Sequence, residues 1–230
     1  MATPSFIYFN SNAQAPRHLL SNFSAATIVF TAADVCPAMR GVCPSLDRWM
    51  QGRVATFPSS EHLWQSLKAK SLDAFLAFTS GGCCAGCDVL LAIYGEKGLR
   101  KWQWWMRKGC VGIAAKLASN PKHKIRLTLV GMMDYSREHL GADAERAVWL
   151  TILRLKFRQC VEHRQVLLGT GDAPLIEYDN KAALHGKHWG GLWCKDTQQV
   201  VGENAMGKYM TAIRAEFAER AAPVPALKSQ

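Results

Sequence analysis

Met206, Met210, Ile213 and Phe217 recur at i, i+4, i+7 and i+11. That spacing sets four large apolar side chains on one stripe of a helix beginning near Asn204. Such a stripe must be buried against other elements. Val148, Ile152 and Leu155, within a helix predicted over Glu145 to Cys160, make the same demand. Further helices are predicted over Ser60 to Phe78, where Gly81 to Gly86 ends the run, and around Val111 to Leu117. Strands are expected at Phe6–Phe9, Ala26–Phe30, Val166–Gly171 and Pro174–Tyr178, the last two around a glycine turn. Cys36 to Gly52 holds Pro37, Gly41, Pro44 and Gly52 and reads as a surface insertion. The pattern predicts one compact, mostly helical α+β domain over residues 1–222, with 223–230 a disordered tail carrying Pro223 and Pro225.

No apolar run approaches the roughly 20 residues of a membrane span. Met1 to Ser5 show neither a basic start nor an apolar core, so a secretory signal is not expected and the chain reads as intracellular, cytoplasmic or nuclear. The eight cysteines are scattered, as for reduced thiols. Cys83, Cys84 and Cys87 could touch a metal, but a structural zinc takes four ligands, usually as two spaced pairs, and no second pair follows. No metal and no cofactor are therefore expected. The net charge of +10 serves solubility or meets a polyanion. Basic residues concentrate at Lys97–Lys108 and Lys116–Arg126. The first stretch interleaves Arg100, Lys101, Arg107 and Lys108 with Trp102, Trp104 and Trp105. Cations beside aromatic faces suit a polynucleotide. An amphipathic helix with its tryptophans in the core has the same sequence, and both readings stay open.

Three local motifs carry chemistry. In Ser59 to Lys68, Ser59 is a helix N-cap, and Glu61, Trp64, Gln65 and Lys68 fall at i, i+3, i+4 and i+7. A carboxylate, a ring, an amide and an amine thus share one helix face; a solvated face with an ion pair would look the same. In Gly202 to Met210, the glycine and Gly207-Lys208 spacing imitates a P-loop, but Tyr209 stands where a magnesium-binding hydroxyl is needed. Asn204 can cap the helix, and amides there with Lys208 could hold a phosphate. The third motif runs Leu167 to Gly171, Leu175 to Glu177, then Trp189-Gly190.

Taken in order, with Ser21-Asn22-Phe23 ahead of them, Lys156-Phe157 between, and Gly202 to Arg214 at the end, these pieces resemble the NADAR family, also called the YbiA-like fold. The resemblance covers most of residues 6–217. The chain departs from it in a longer middle, 77–147, alongside an insertion at 31–52. It also has Gly186 where the family places an aspartate three residues before the tryptophan-glycine. Asp179 is the nearest acid upstream, and His185 and His188 flank the gap.

The resemblance implies a metal-independent N-glycosidase. Two substrate classes go with it: ADP-ribose on guanine in nucleic acid, and phosphorylated ribosylamine intermediates of riboflavin synthesis. The positive charge favours the first, with ADP-ribosylated DNA or nucleoside as partner and no membrane or obligate protein partner. Lys68 is the implied nucleophile through a Schiff base, with Lys208 the alternative amine, Glu61 its proton partner, and Asp179 a candidate second catalytic acid. Direct attack by water is the competing route. Asn22, Phe23, Ser60, His62, Trp64, Gln65, Glu177, Trp189, Gly190, Asn204 and Lys208 are the implied substrate contacts. Arg100, Lys101, Arg107 and Lys108 are the candidate nucleic-acid contacts. A non-catalytic binder of ADP-ribose or nucleic acid is the remaining alternative, and the glycine at 186 is what supports it.

Overall fold

The computed structural model describes residues 6–10, 12–120, 122, 133–134, 141–180 and 188–221. Gly186, His185 and the tail 223–230 lie outside the described residues, as do parts of 116–126 and 77–147. The chain divides into two units, Phe9–Arg164 and Met1–Tyr8 with Gln165–Gln230. The elements are helices with a few short strands, the α+β class that the periodicities predict.

In the larger unit, β2 (Ile28–Thr31) pairs antiparallel with β3 (Val54–Phe57), with Ile28 opposite Phe57 and Phe30 opposite Ala55. Alternation does the sorting: those four side chains are buried, while Val29 and Val54 on the other face are exposed. Helices α1 (Pro37–Val42) and α2 (Leu46–Met50) fill the stretch expected as a surface insertion. Met39, Val42, Leu46, Trp49 and Met50 are buried, so these residues belong to the core. Pro37 sits at the helix start, where its missing N–H costs nothing, so it opens a helix here. The long α8 (Ala142–Gln159) packs on α1 and β2 and buries Val148, Trp149, Ile152, Leu153, Leu155 and Phe157.

The helix predicted from Ser60 to Phe78 is two short ones, α3 (Ser60–Ser66) and α4 (Leu72–Leu76). The backbone tightens after Gln65, whose carbonyl accepts the Lys68 N–H at 3.1 Å, and Ser71 caps a new helix by accepting the Ala74 N–H at 3.2 Å. Beyond them, α5 (Cys87–Tyr94) and α6 (Glu96–Arg107) meet at Gly95, whose φ of +61° favours glycine. They press together at Gly98, where a Cβ would lie 2.1 Å from the Leu90 carbonyl oxygen. Helix α7 (Ile113–Ala118) buries Ala114, Ala115 and Ala118.

Helix α9 (Val161–Leu168) leads into the smaller unit. It replaces the strand expected over Val166–Gly171. Glu162, Arg164 and Gln165 are good helix formers, and the apolar run Val166–Leu168 has no alternation to hold it extended. Strand β4 (Leu175–Glu177) pairs with β1 (Ile7–Phe9), and β5 (Leu192–Cys194) forms a hairpin with β6 (Gln199–Val201). Helix α10 (Ala205–Ala221) packs on β4 and buries Met206, Met210 and Ile213 of the predicted stripe. Among the described residues, no helix is long and apolar enough to cross a membrane.

Candidate active site

The Ser59–Lys68 segment is buried on every side. Glu61 is 4% exposed, Gln65 5% and Lys68 2%, so the alternative of a solvated face does not hold. Ser59 accepts the His62 N–H, as an N-cap should. The next orphan donor of the helix, the Glu61 N–H, is taken by the Asn22 carbonyl at 3.1 Å. Asn22 belongs to a turn over residues 19–24, which the chain reaches through a 3-10 segment, Arg17–Leu20.

The Glu61 carboxylate hangs between two amides. Asn22 Nδ2 donates to its Oε2 at 2.5 Å, and Gln65 Nε2 donates to its Oε1 at 2.7 Å. Both amides thereby turn their oxygens away from Glu61. Asn22 Oδ1, Gln65 Oε1 and the Ser60 hydroxyl are buried with no protein partner among the described residues. A carboxylate has about four lone-pair sites, so each Glu61 oxygen keeps capacity for a further donor. Phe23 is half-buried, with the Lys116 amine 5.1 Å from its ring centroid. Gly112 closes the other flank: its N–H donates to the Phe23 carbonyl at 3.0 Å, and a Cβ there would meet Phe23 Cα at 2.7 Å.

Lys68 follows the last turn of α3. Its carbonyl accepts the Asp134 N–H at 2.7 Å, and its amine lies 5.2 Å from the Trp64 ring centroid. Trp64 in turn packs on Trp149, with centroids 5.2 Å apart. His62 is wholly buried. Its Nδ1 is 2.8 Å from Ser59 Oγ, and the Cys84 and Ala85 backbone lies against its ring. Burial lowers its pKa to about 4, so the ring is neutral near pH 7. Burial also raises the Cys84 thiol, whose sulfur is 3.9 Å from Cys83 Sγ. Among the described residues no three His, Cys, Asp or Glu side chains gather as a metal would need.

A second buried amine lies behind this arrangement. Lys156 donates to the Leu19 and Ser21 carbonyls at 2.8 and 2.7 Å, and to Ser24 Oγ at 2.8 Å. Burial lowers its pKa to about 7, opposed only in part by the nearby Cys160 and Cys110 thiols. Sequence reasoning registered Lys156-Phe157 only as a motif fragment. The signal available was a lysine on the apolar stripe of α8.

The smaller unit brings its own motif residues together. The Asn204 side chain accepts the Glu177 N–H at 3.0 Å and donates to the Leu175 carbonyl at 2.9 Å, bonding α10 to β4. The amide is thus engaged with backbone instead of capping the helix. Loop carbonyls at His188, Trp189 and Gly190 accept the N–H groups of Ala205, Met206 and Asn204. These donors, expected to hold a phosphate, are therefore occupied. Lys208 is exposed, Asp179, Glu177 and Trp189 are half-buried, and Gly190 is buried. Arg214 donates to Thr170 Oγ1 at 2.9 Å and to the Ala173 carbonyl at 2.8 Å, which ties together both ends of the carboxy-terminal motif.

Helix α6 in the larger unit has an exposed cationic arc. Arg100, Lys101 and Arg107 are exposed and Lys108 is half-buried. Trp104 lies within this arc at 41% exposed, with the Lys108 amine 4.7 Å from its ring centroid. Trp102 and Trp105 are half-buried, and Gly98 is the one residue of the helix that is fully buried, so the tryptophans do not form a core.

No protein-family model and no curated protein matches the chain. Among solved structures it is similar to the NMR structure of the E. coli protein YbiA. The two are 19% identical with a TM-score of 0.47, over 98% of this chain and 94% of that one.

Proposed function

We propose that the chain is an N-glycosidase that removes ADP-ribose from a modified guanine in nucleic acid through a Schiff base on Lys68. The observation that carries this reading is the buried acid and amine on one short segment. Glu61 and Lys68 are each nearly inaccessible, and Glu61 is hung between the Asn22 and Gln65 amides. Ionisable groups are costly to bury, and sites of chemistry are where that cost is commonly borne.

In the proposed reaction the Lys68 amine forms a bond to the anomeric carbon of the ribose as the bond to guanine nitrogen breaks. Glu61, having taken a proton from the Lys68 ammonium to free the amine, passes it to the departing base. The ribose ring then opens: the bond from the anomeric carbon to the ring oxygen breaks, that oxygen takes a proton from the amine, and the open-chain sugar remains as an iminium on Lys68. Glu61 then accepts a proton from water as water adds to that carbon, and collapse of the adduct returns the free amine and ADP-ribose. Asn22 and Gln65 hold the carboxylate throughout. The cationic arc of α6, with Trp104 exposed within it, supports a polynucleotide as the carrier of the modified base.

An oligonucleotide carrying ADP-ribosyl guanine, incubated with the protein and resolved by chromatography, tests the reading. Release of free ADP-ribose and intact guanine is expected, with Glu61→Gln slower by roughly 10²–10⁴-fold. Turnover confined to phosphorylated ribosylamines would overturn the nucleic-acid assignment. Binding of ADP-ribose with no turnover of either substrate would make the protein a binder.

A further inference from the structure

Lys156 has no exposed surface, and its three partners, the carbonyls of Leu19 and Ser21 and the hydroxyl of Ser24, all belong to one turn. The Ser24 hydroxyl in turn donates within the same turn, to the Ser21 carbonyl at 2.7 Å. All three partners are neutral oxygens. Carrying an amine into the interior against neutral acceptors is expensive, and an apolar side chain of similar volume would fill the space without that cost. What the amine adds is geometry: the Ser24 hydroxyl already donates to the Ser21 and Leu19 carbonyls at 2.7 and 3.1 Å, and the amine ties all three oxygens to α8.

We infer that Lys156 is a positioning residue for Glu61, acting through the 19–24 turn. The far edge of that turn touches Glu61 twice, through the Asn22 carbonyl on its N–H and the Asn22 amide on its Oε2. The turn is also tied at a second point. Phe23 is hydrogen-bonded to Gly112, whose missing side chain lets the two backbones come together, so the turn is held at Phe23 on one side and by Lys156 on the other. Release of the Lys156 end therefore displaces Asn22, and with it one of the two donors that aim the carboxylate. Gln65 reaches the other oxygen from within α3 and does not depend on the turn. The inference rests on Glu61 being the proton partner of the proposed reaction.

The test compares the full-length protein with Lys156→Met, and with Ser24→Ala in case the first variant folds poorly. Two readouts are taken: the side-chain amide NMR signals of Asn22 and Gln65, and the kinetics on ADP-ribosyl guanine. In both variants the Asn22 amide should shift and exchange faster while Gln65 stays in place. The rate constant kcat should fall by about 10- to 100-fold in Lys156→Met with KM little changed, as for a catalytic group moved by about an ångström. A merely structural role would disturb both amides together and lower the folded fraction without splitting kcat from KM. That result, or an unmoved Asn22 signal in both variants, overturns the inference. If the wild-type protein shows no turnover but the Asn22 signal still follows Lys156, the glycosidase reading fails while the positioning link stands.

Discussion

Each oxygen of Glu61 accepts from a different amide, so removing either amide should leave the carboxylate aimed by the other alone. The histidine next to it in the chain makes a separate, pH-dependent contribution. His62 and His163 are buried, and burial lowers their pKa values to about 4 and about 3 from the ordinary 6.5. In the unfolded chain both take up protons as pH falls below 6.5, whereas the folded protein resists until those lower values. Stability present above pH 6.5 is therefore lost as pH falls toward 4, and for His163 toward 3, by up to about 1.4 kcal/mol per pH unit for each ring. Urea midpoints measured between pH 7 and 4 should fall, and His62→Gln should flatten the slope. An equal slope in that variant would show the ring does not carry the effect. At this scale the sequence disclosed which residue types share α3 but not their environment. Periodicity told apolar Leu63 from polar Glu61; it had no means of showing that Asn22, thirty-nine positions earlier, closes over the polar side.

Helix α6 shows what an element's face can and cannot reveal. Its cations and tryptophans interleave in sequence, and both readings of that pattern put the basic residues outside; only the fold decides where Trp104 goes. In the proposed role, replacing Arg100, Lys101, Arg107 and Lys108 together should weaken binding to single-stranded DNA and lower the slope of log K against log salt by up to about 0.7 per lost phosphate contact. A nucleoside-sized substrate should be unaffected. Equal loss on both substrates in a folded protein would place the stretch in the pocket or core instead. In the smaller unit, Gly207 is legible only in hindsight. It looked like part of a phosphate loop, yet a Cβ there would lie 2.3 Å from the Leu175 carbonyl oxygen. Gly207→Ala should accordingly destabilise the protein by about 1–3 kcal/mol, read from denaturant midpoints, as overpacking does. An unchanged midpoint would mean α10 can draw back from β4 freely. The strand expected at Val166–Gly171 failed for a related reason: a short apolar run carries no period of its own, and the helix formers before it decided the outcome.

Over the whole molecule, helical periodicity locates the two stripes that the fold buries, with Phe217 at the end of the α10 stripe only half-buried. The broken helix at Gln65–Lys68, the core role of α1 and α2, and the Lys156 anchor all depend on contacts between residues distant in sequence, which no local pattern contains. The charge of +10 is distributed so that one exposed arc faces solvent on α6 while two amines, Lys68 and Lys156, are buried. An excess of positive charge suits solubility or a polyanion, but neither calls for two buried amines. In the proposed reaction the two amines have different tasks, one covalent and one positional, and a single measurement separates them. The protein is mixed with ADP-ribosyl guanine substrate in the presence of borohydride, digested, and its peptides are weighed by mass spectrometry. A reduced ribosyl adduct is predicted on the peptide holding Lys68, absent from Lys68→Ala and never on Lys156. An adduct on Lys156 or Lys208, or full turnover in Lys68→Ala, would contradict the account.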